Sequence, residues 1–296
     1  MIPLTYCYSW ATFDEAMRRT VMEEFAANGA KHLVLSDALL KMIAGDPKLY
    51  LKLPQEMRDA GLTFVDAHAP FTSECDLGMP VPEWRPQMLA RQKYHLRTVR
   101  DLGVTTCTVH PITTFYRGFS VDEHFDAVRR SLEELLPLAE TLGVTLALEN
   151  IYKPCCTADD ILTLIREFPS PCLGACYDSG HAHIMEHGRG SADWVAARQW
   201  PGKTADEVPQ ERDILDRMLP HMATCHLHDN FADLDSHNLP GDGTIDWREV
   251  TAKLGTAPKL RCIQSEVSFR QGIPIRKMVE TFQRLESMIS TNTTKD

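Results

Sequence analysis

Short apolar runs alternate along most of this chain with longer amphipathic stretches, and the alternation predicts eight strands separated by helices. The predicted strands are residues 2–8, 32–36, 63–67, 105–110, 145–149, 173–178, 223–228 and 260–266. Helical periodicity fills intervening stretches such as 13–28, 86–102, 121–142, 158–168, 214–219, 247–254 and 275–289. Several of these end in glycine, as at Gly29, Gly103, Gly143 and Gly255, where a left-handed residue can close a helix. The unit Leu-Gly-Val recurs at Leu102–Val104 and Leu142–Val144, each time between a helix and an apolar strand.

Strands alternating with helices imply a parallel sheet wound by crossover connections. An open, doubly wound sheet of the nucleotide-binding kind would carry a glycine-rich turn after its first strand, but Tyr6-Cys7-Tyr8-Ser9-Trp10 has none. The expectation is therefore an α/β fold, a single (β/α)8 TIM barrel formed by residues 1–296 as one domain. Two stretches exceed ordinary connections, residues 71–85 after the third strand and 186–212 after the sixth. Loops at that end of a barrel commonly cover its active-site face.

Composition narrows the function classes. Of 296 residues, 43% are hydrophobic and 24% charged, as in an ordinary globular protein, and the formal net charge of −10 makes a nucleic-acid partner unlikely, since phosphate binding needs clustered cations. No apolar run reaches the ~20 residues of a membrane span, and the first ten residues lack the pattern of a secretory leader. The nine cysteines are scattered, with no CxxC pair, so neither a disulfide framework nor a cysteine zinc site is indicated. A reducing cytoplasm is the expected location.

The candidate chemistry lies at the strand ends. In a barrel the C-terminal ends of all strands converge on one face. Here they finish on His68, His110, Glu149, Asp178, His226 with His228, and Glu266. A carboxylate closing an apolar strand is costly to bury unless paired or bound to metal. None of Glu149, Asp178, His226 and Glu266 has an adjacent Arg or Lys, which leaves a cation as the natural partner. Mixed carboxylate and imidazole donors suit one divalent ion such as Mn2+, Co2+, Zn2+ or Fe2+. After the seventh strand, Asp229, Asp235 and His237 precede the turn Pro240-Gly241-Asp242-Gly243.

Taken together, Glu149-Asn150, Asp178-Ser179-Gly180-His181, His226-Leu227-His228-Asp229, His237 to Gly243 and the terminal Glu266 resemble the xylose-isomerase-like barrel superfamily, which joins sugar isomerases and epimerases to the endonuclease IV repair enzymes. The resemblance runs from about His68 onward. It implies a divalent metal held by Glu149, Asp178, His226 and Glu266. It places His181 and His237 on substrate; His68, His110, His228 and Asp235, from their positions at and after the strand ends, are expected as further substrate-binding residues. It also suggests a homo-oligomer paired through the lids. Ketose 3-epimerases in this superfamily carry a second glutamate six residues after the first, where this chain has Cys155, a departure that puts a simple free ketose in doubt.

The expected activity is proton transfer on a sugar or keto-polyol through a metal-stabilised enediolate. Glu149 and Glu266 would act on opposite faces of the carbon. Two alternatives remain open: a keto-polyol dehydratase, and a trinuclear-zinc phosphodiesterase of the endonuclease IV type. For the latter, His68, His110, Glu149, Asp178, His181, His226, Asp235, His237 and Glu266 supply nine counterparts. The acidic lid residues Asp193, Asp206 and Glu207 argue against DNA. Arg270 with Gly272 is the one candidate cradle for a substrate phosphate.

Overall fold

The computed structural model describes residues 2–267 and 272–293. Eight strands close a barrel: β1 (Leu4–Tyr6), β2 (His32–Leu35), β3 (Thr63–His68), β4 (Thr106–Val109), β5 (Thr145–Glu149), β6 (Leu173–Asp178), β7 (Met222–Leu227) and β8 (Cys262–Ser265). Each pairs in parallel with the next, and β8 returns to β1 through the register Thr5 to Gln264. The fold is the (β/α)8 barrel that the apolar alternation predicts. Strand positions agree with the sequence pattern to within a few residues at each end.

The outer layer consists of α1 (Glu15–Ala27), α2 (Asp37–Gly45), α3 (Pro47–Asp59), α4 (Arg85–Asp101), α5 (Val121–Leu142), α6 (Ala158–Glu167), α7 (Ser179–His187), α8 (Ile214–Met218), α9 (Trp247–Leu254) and α10 (Ile275–Thr293). Local chemistry sets their limits. In α5, Ser120 Oγ accepts from Glu123 N and Glu123 Oε2 accepts from Ser120 N, so two otherwise unpaired donors are satisfied. The helix stops at Gly143, whose φ of +64° is left-handed. Its buried stripe of Ala127, Val128, Leu132, Leu135 and Ala139 packs into the core.

The loop after β3 holds a short 3-10 turn at Ser73–Cys75. The stretch between α7 and α8 contains two more, Val195–Arg198 and Ala205–Glu207. Trp194 is buried there and donates its indole N–H to Ile184 O (2.9 Å), tying this segment to α7. All nine cysteines are free thiols.

Because strand side chains alternate with period two, the residue two before each strand-end group lies beneath it inside the barrel. Asp66 lies below His68, Ala147 below Glu149, Cys176 below Asp178, Thr224 below His226 and Gln264 below Glu266. All five are buried. This small and polar floor lets the larger ionisable side chains occupy the top of the barrel.

Candidate metal and active site

Glu149 stands at the centre of the strand-end cluster and is 1% exposed. Its Oε1 meets His226 Nδ1 at 3.0 Å, while its Oε2 meets His110 Nε2 at 2.9 Å and His68 Nε2 at 3.3 Å. The other nitrogen of His226 faces Thr108 Oγ1 at 3.2 Å, which fixes the ring from below. Glu266 Oε2 lies 3.0 Å from the same His226 Nδ1 and has no hydrogen-bond donor of its own among the described residues. One ring N–H shared between two carboxylates satisfies neither fully, so this cluster holds more buried carboxylate oxygen than its donors can serve.

Asp178 is fixed from both sides. Asn150 Oδ1 accepts from its backbone N–H (2.7 Å), and Asn150 Nδ2 donates to its carbonyl (3.1 Å). Asp178 Oδ1 also accepts from His181 N at the start of α7 (2.7 Å), placing the carboxylate where a helix N-terminus favours negative charge. His228 Nε2 lies 3.1 Å from both carboxylate oxygens. His181, carried on the first turn of α7, reaches Asn150 O through Nδ1 (2.9 Å) and Asp235 Oδ2 through Nε2 (3.2 Å).

The segment after β7 is built on Asp229. Its Oδ2 accepts from Gly241 N (2.8 Å) and Trp247 Nε1 (2.7 Å), its Oδ1 from Asn230 N and Ile245 N, and its backbone exchanges two bonds with Asn238. This buried carboxylate thereby ties the loop together and presents Asp235 and His237 to the barrel mouth. His237 has a left-handed φ of +48° and holds the carbonyl of Glu266 through Nδ1 (2.6 Å). Its Nε2 lies 3.4 Å from Asp235 Oδ1.

Every expected site residue thus reaches one region. The four expected metal ligands interleave: donor atoms of Glu149, His226 and Glu266 share one group with His68, Glu149 and Asp178 another with His181, and Asp178 and Glu266 a third with His228. Within each group all donor atoms lie within 4.8 Å of one another. A fourth group, His181, His228, Asp235 and His237, shares His181 and His228 with the others. Toward solvent, the side chains of His237 (26%), Asp235 (20%), Glu266 (20%) and His110 (14%) are the open ones, whereas His226 and His228 are closed off. Arg270, the expected phosphate partner, lies outside the described residues.

The electrostatics follow from burial set against close opposite charge. Burial raises the Glu149 carboxyl, but His226 and His110 outweigh it and hold the group well below the usual carboxylate range. Glu266 is lowered in the same way, with burial opposing and His226 prevailing. Burial disfavours the His226 imidazolium, yet Cys176, Glu266 and Glu149 drive its pKa well above the ordinary value. His237 is pushed up to about 9 against burial by Asp235, while burial takes His110 down to about 4. Among the described residues, no Lys or Arg side chain forms an ion pair with Glu149, Asp178, Asp235 or Glu266; their partners are all imidazoles. Oxygen and nitrogen donors around unspent carboxylate oxygens fit a divalent cation, which would replace the imidazolium protons.

Several contributors have no role in the sequence reading. Thr108 orients His226, Tyr152 donates its hydroxyl to Asp235 Oδ2 (3.2 Å), and Phe71 stacks on His110 with ring centroids 4.7 Å apart. Their placement two or three residues from a strand-end acid or histidine is the only signal the chain offers. Cys155, where 3-epimerases carry a glutamate, has a φ of +65° and directs its Sγ to Val121 O (3.6 Å) at the start of α5.

A parallel eight-stranded barrel with an acid and imidazole cluster at its strand ends defines the class. Residues 24–263 match the family model described as xylose isomerase-like TIM barrel, and the chain belongs to that family. The uncharacterized protein y4fM of Sinorhizobium fredii is 27% identical over 187 residues, 57% of this chain and 52% of its own length, so the chain spans about half of that curated relative. Among solved structures, a D-tagatose 3-epimerase-like protein superposes with a TM-score of 0.73 at 18% identity, covering 100% of this chain and 99% of its own. The 3-keto-D-glucoside 4-epimerase YcjR of E. coli gives 0.71 at 17%, covering 97% and 100%. At such identities the likeness is one of fold. No helix among the described residues is long and apolar enough to cross a membrane.

Proposed function

We propose that this chain is a divalent-metal-dependent isomerase or epimerase of a small ketose or keto-polyol. The observation that carries the reading is the pair Glu149 and Glu266, from β5 and from just beyond β8, which bring Oε1 and Oε2 respectively to 3.0 Å from one imidazole nitrogen. Family membership supports it, as do fold neighbours named as a D-tagatose 3-epimerase-like protein and a 3-keto-D-glucoside 4-epimerase.

Glu149, Asp178, His226 and Glu266 would hold the ion. When bound, it would polarise a substrate carbonyl and stabilise the negative charge that develops when the neighbouring carbon loses its proton. Glu266 takes that proton at Oε2 on one face while Glu149, protonated in the substrate complex, gives its own to the other, which inverts the centre. Exchange with solvent then removes the proton from Glu266 and restores one to Glu149. His237, Asp235 and His110 are open enough to orient substrate hydroxyls. Tyr152 holds Asp235 in place for that task. Incubation with Mn2+ and a panel of ketoses and keto-polyols in D2O tests the reading. The expected result is deuterium at the carbon beside the carbonyl together with an inverted or isomerised product, both lost in Glu266→Gln; no exchange with any of them would count against it.

One observation favours a second reading. His68 and His110 both face Glu149 Oε2, and His181 and His228 form with Asp235 and His237 a further donor group beside the expected ligands, so the cluster offers donors for more than one ion. A phosphodiesterase that uses three zinc ions is the alternative, distinguished by metal count per chain.

A further inference from the structure

His228 is fully buried; its surroundings account for Nε2, the Cε1 edge and one face of its ring, while Nδ1 has no hydrogen-bond partner among the described residues. Nε2 reaches Asp178 Oδ1 and Oδ2, each at 3.1 Å. One face of the ring lies against His237, with centroids 3.9 Å apart and planes 13° from parallel. The Cε1 edge lies against the first turn of α7 at Gly180, where a Cβ would come within 2.0 Å of Cε1 and 2.5 Å of Nδ1. Only glycine leaves room for the imidazole there. The backbone N–H of His228 donates to Ser179 Oγ (3.1 Å), and Ser179 Oγ donates to His228 O (2.8 Å), so α7 and the end of β7 are clamped around the ring.

Such a ring has little freedom to meet a sugar. Its nearest polar contact is instead the carboxylate expected to bind metal, with Asp235 Oδ1 farther off at 3.9 Å. Asp178 Oδ2 has His228 as its described hydrogen-bond partner, whereas Oδ1 is also engaged by His181 N. A donor held on both oxygens sets the plane of the carboxylate, and hydrogen bonds to liganding groups tune metal affinity. The stack joins this arrangement to His237, whose left-handed backbone is stabilised by contacts of this kind.

We propose that His228 is a positioning residue: its Nε2–H fixes the Asp178 carboxylate for metal binding, and its ring couples that carboxylate to His237 at the substrate mouth. This inference rests on the reading of Asp178 as a metal ligand. It assigns His228 to the metal side of the site and away from substrate.

The test is Zn2+ affinity by competition with a chromophoric chelator, with the thermal midpoint recorded alongside. His228→Phe keeps a flat ring and removes the donor, and should bind Zn2+ about 10- to 100-fold more weakly. His228→Gln restores an N–H at the Nε2 position and should recover affinity to within about threefold, with kcat recovering more than KM because the platform under His237 is gone. Should the Phe variant fail to fold, Gly180→Ala serves instead, since it leaves the imidazole and displaces it from Asp178; it too should lose affinity. A folded His228→Phe or Gly180→Ala that binds Zn2+ as tightly as the wild type would overturn the proposal. A wild-type chain that takes up no divalent ion would defeat the metal reading itself, a distinct result visible before any variant is made.

Discussion

Asn150 and Asp178 are joined head to tail across the ends of β5 and β6: the Asn150 side chain accepts from the Asp178 N–H at 2.7 Å and donates to the Asp178 carbonyl at 3.1 Å. The strands part here, so an amide side chain continues the ladder that the backbone no longer supplies. Asn150→Ala would leave two buried backbone groups unpaired, at a cost of about 2–4 kcal/mol. Denaturant unfolding should show that loss, and metal affinity should fall with it. A variant as stable as the wild type would mean that the pair is replaceable by water.

The loop after β7 depends on Asp229, whose carboxylate accepts four hydrogen bonds from residues 230–247. Asp229→Ala should lower stability by about 2–4 kcal/mol. Hydrogen exchange should accelerate across residues 229–246 with β1–β5 unaffected. Gly243→Ala should act the same way, because its Cβ would meet Asp229 Oδ1 at 2.3 Å.

Phe71 covers His110, whose pKa burial lowers to about 4. Phe71→Ala admits water to that ring and relieves the desolvation that disfavours its charge. In the metal-free protein the His110 pKa should rise toward 6.5, followed by the NMR titration of its ring protons; an unmoved pKa would show that the barrel wall, rather than Phe71, keeps water from the ring.

Away from the site, Glu211 is 6% exposed, and burial is the main reason its carboxyl is pushed up to about 7, against the backbone N–H of Ala158 and Arg217, which favour its charge. A carboxyl with its folded pKa raised above 4.5 contributes most below that pH, and the contribution is lost as pH rises toward 7. Glu211→Gln keeps an acceptor for Ala158 N without a charge to bury. Its stability relative to wild type should therefore improve between pH 5 and pH 8 by about 1–3 kcal/mol, measured by thermal unfolding at each pH. A constant difference would contradict the shift.

Much of this arrangement is legible in the chain. Apolar alternation locates the strands because both faces of a barrel strand are buried, and acids or histidines closing such strands stand out against that background. Glu149, Asp178, His226 and Glu266 are visible for this reason. The partners are harder to see, because hydrogen bonds across the barrel leave no mark on local sequence. Thr108 looks like any β-branched strand residue, and Phe71 like any loop aromatic, until the fold brings them to His226 and His110. The helix α7 is hidden as well. Its nine residues carry three histidines and open on Ser-Gly, and it exists because Asp178 caps it while Gly180 admits His228.

The central claim is a divalent ion held by the strand-end cluster, and metal content per chain by elemental analysis, compared between wild type and Glu266→Gln, tests it most directly. One divalent ion per chain, lost or weakened in the variant, is the result the account predicts. A chain that holds no ion, or that holds three zinc ions and cleaves phosphodiesters, would contradict it.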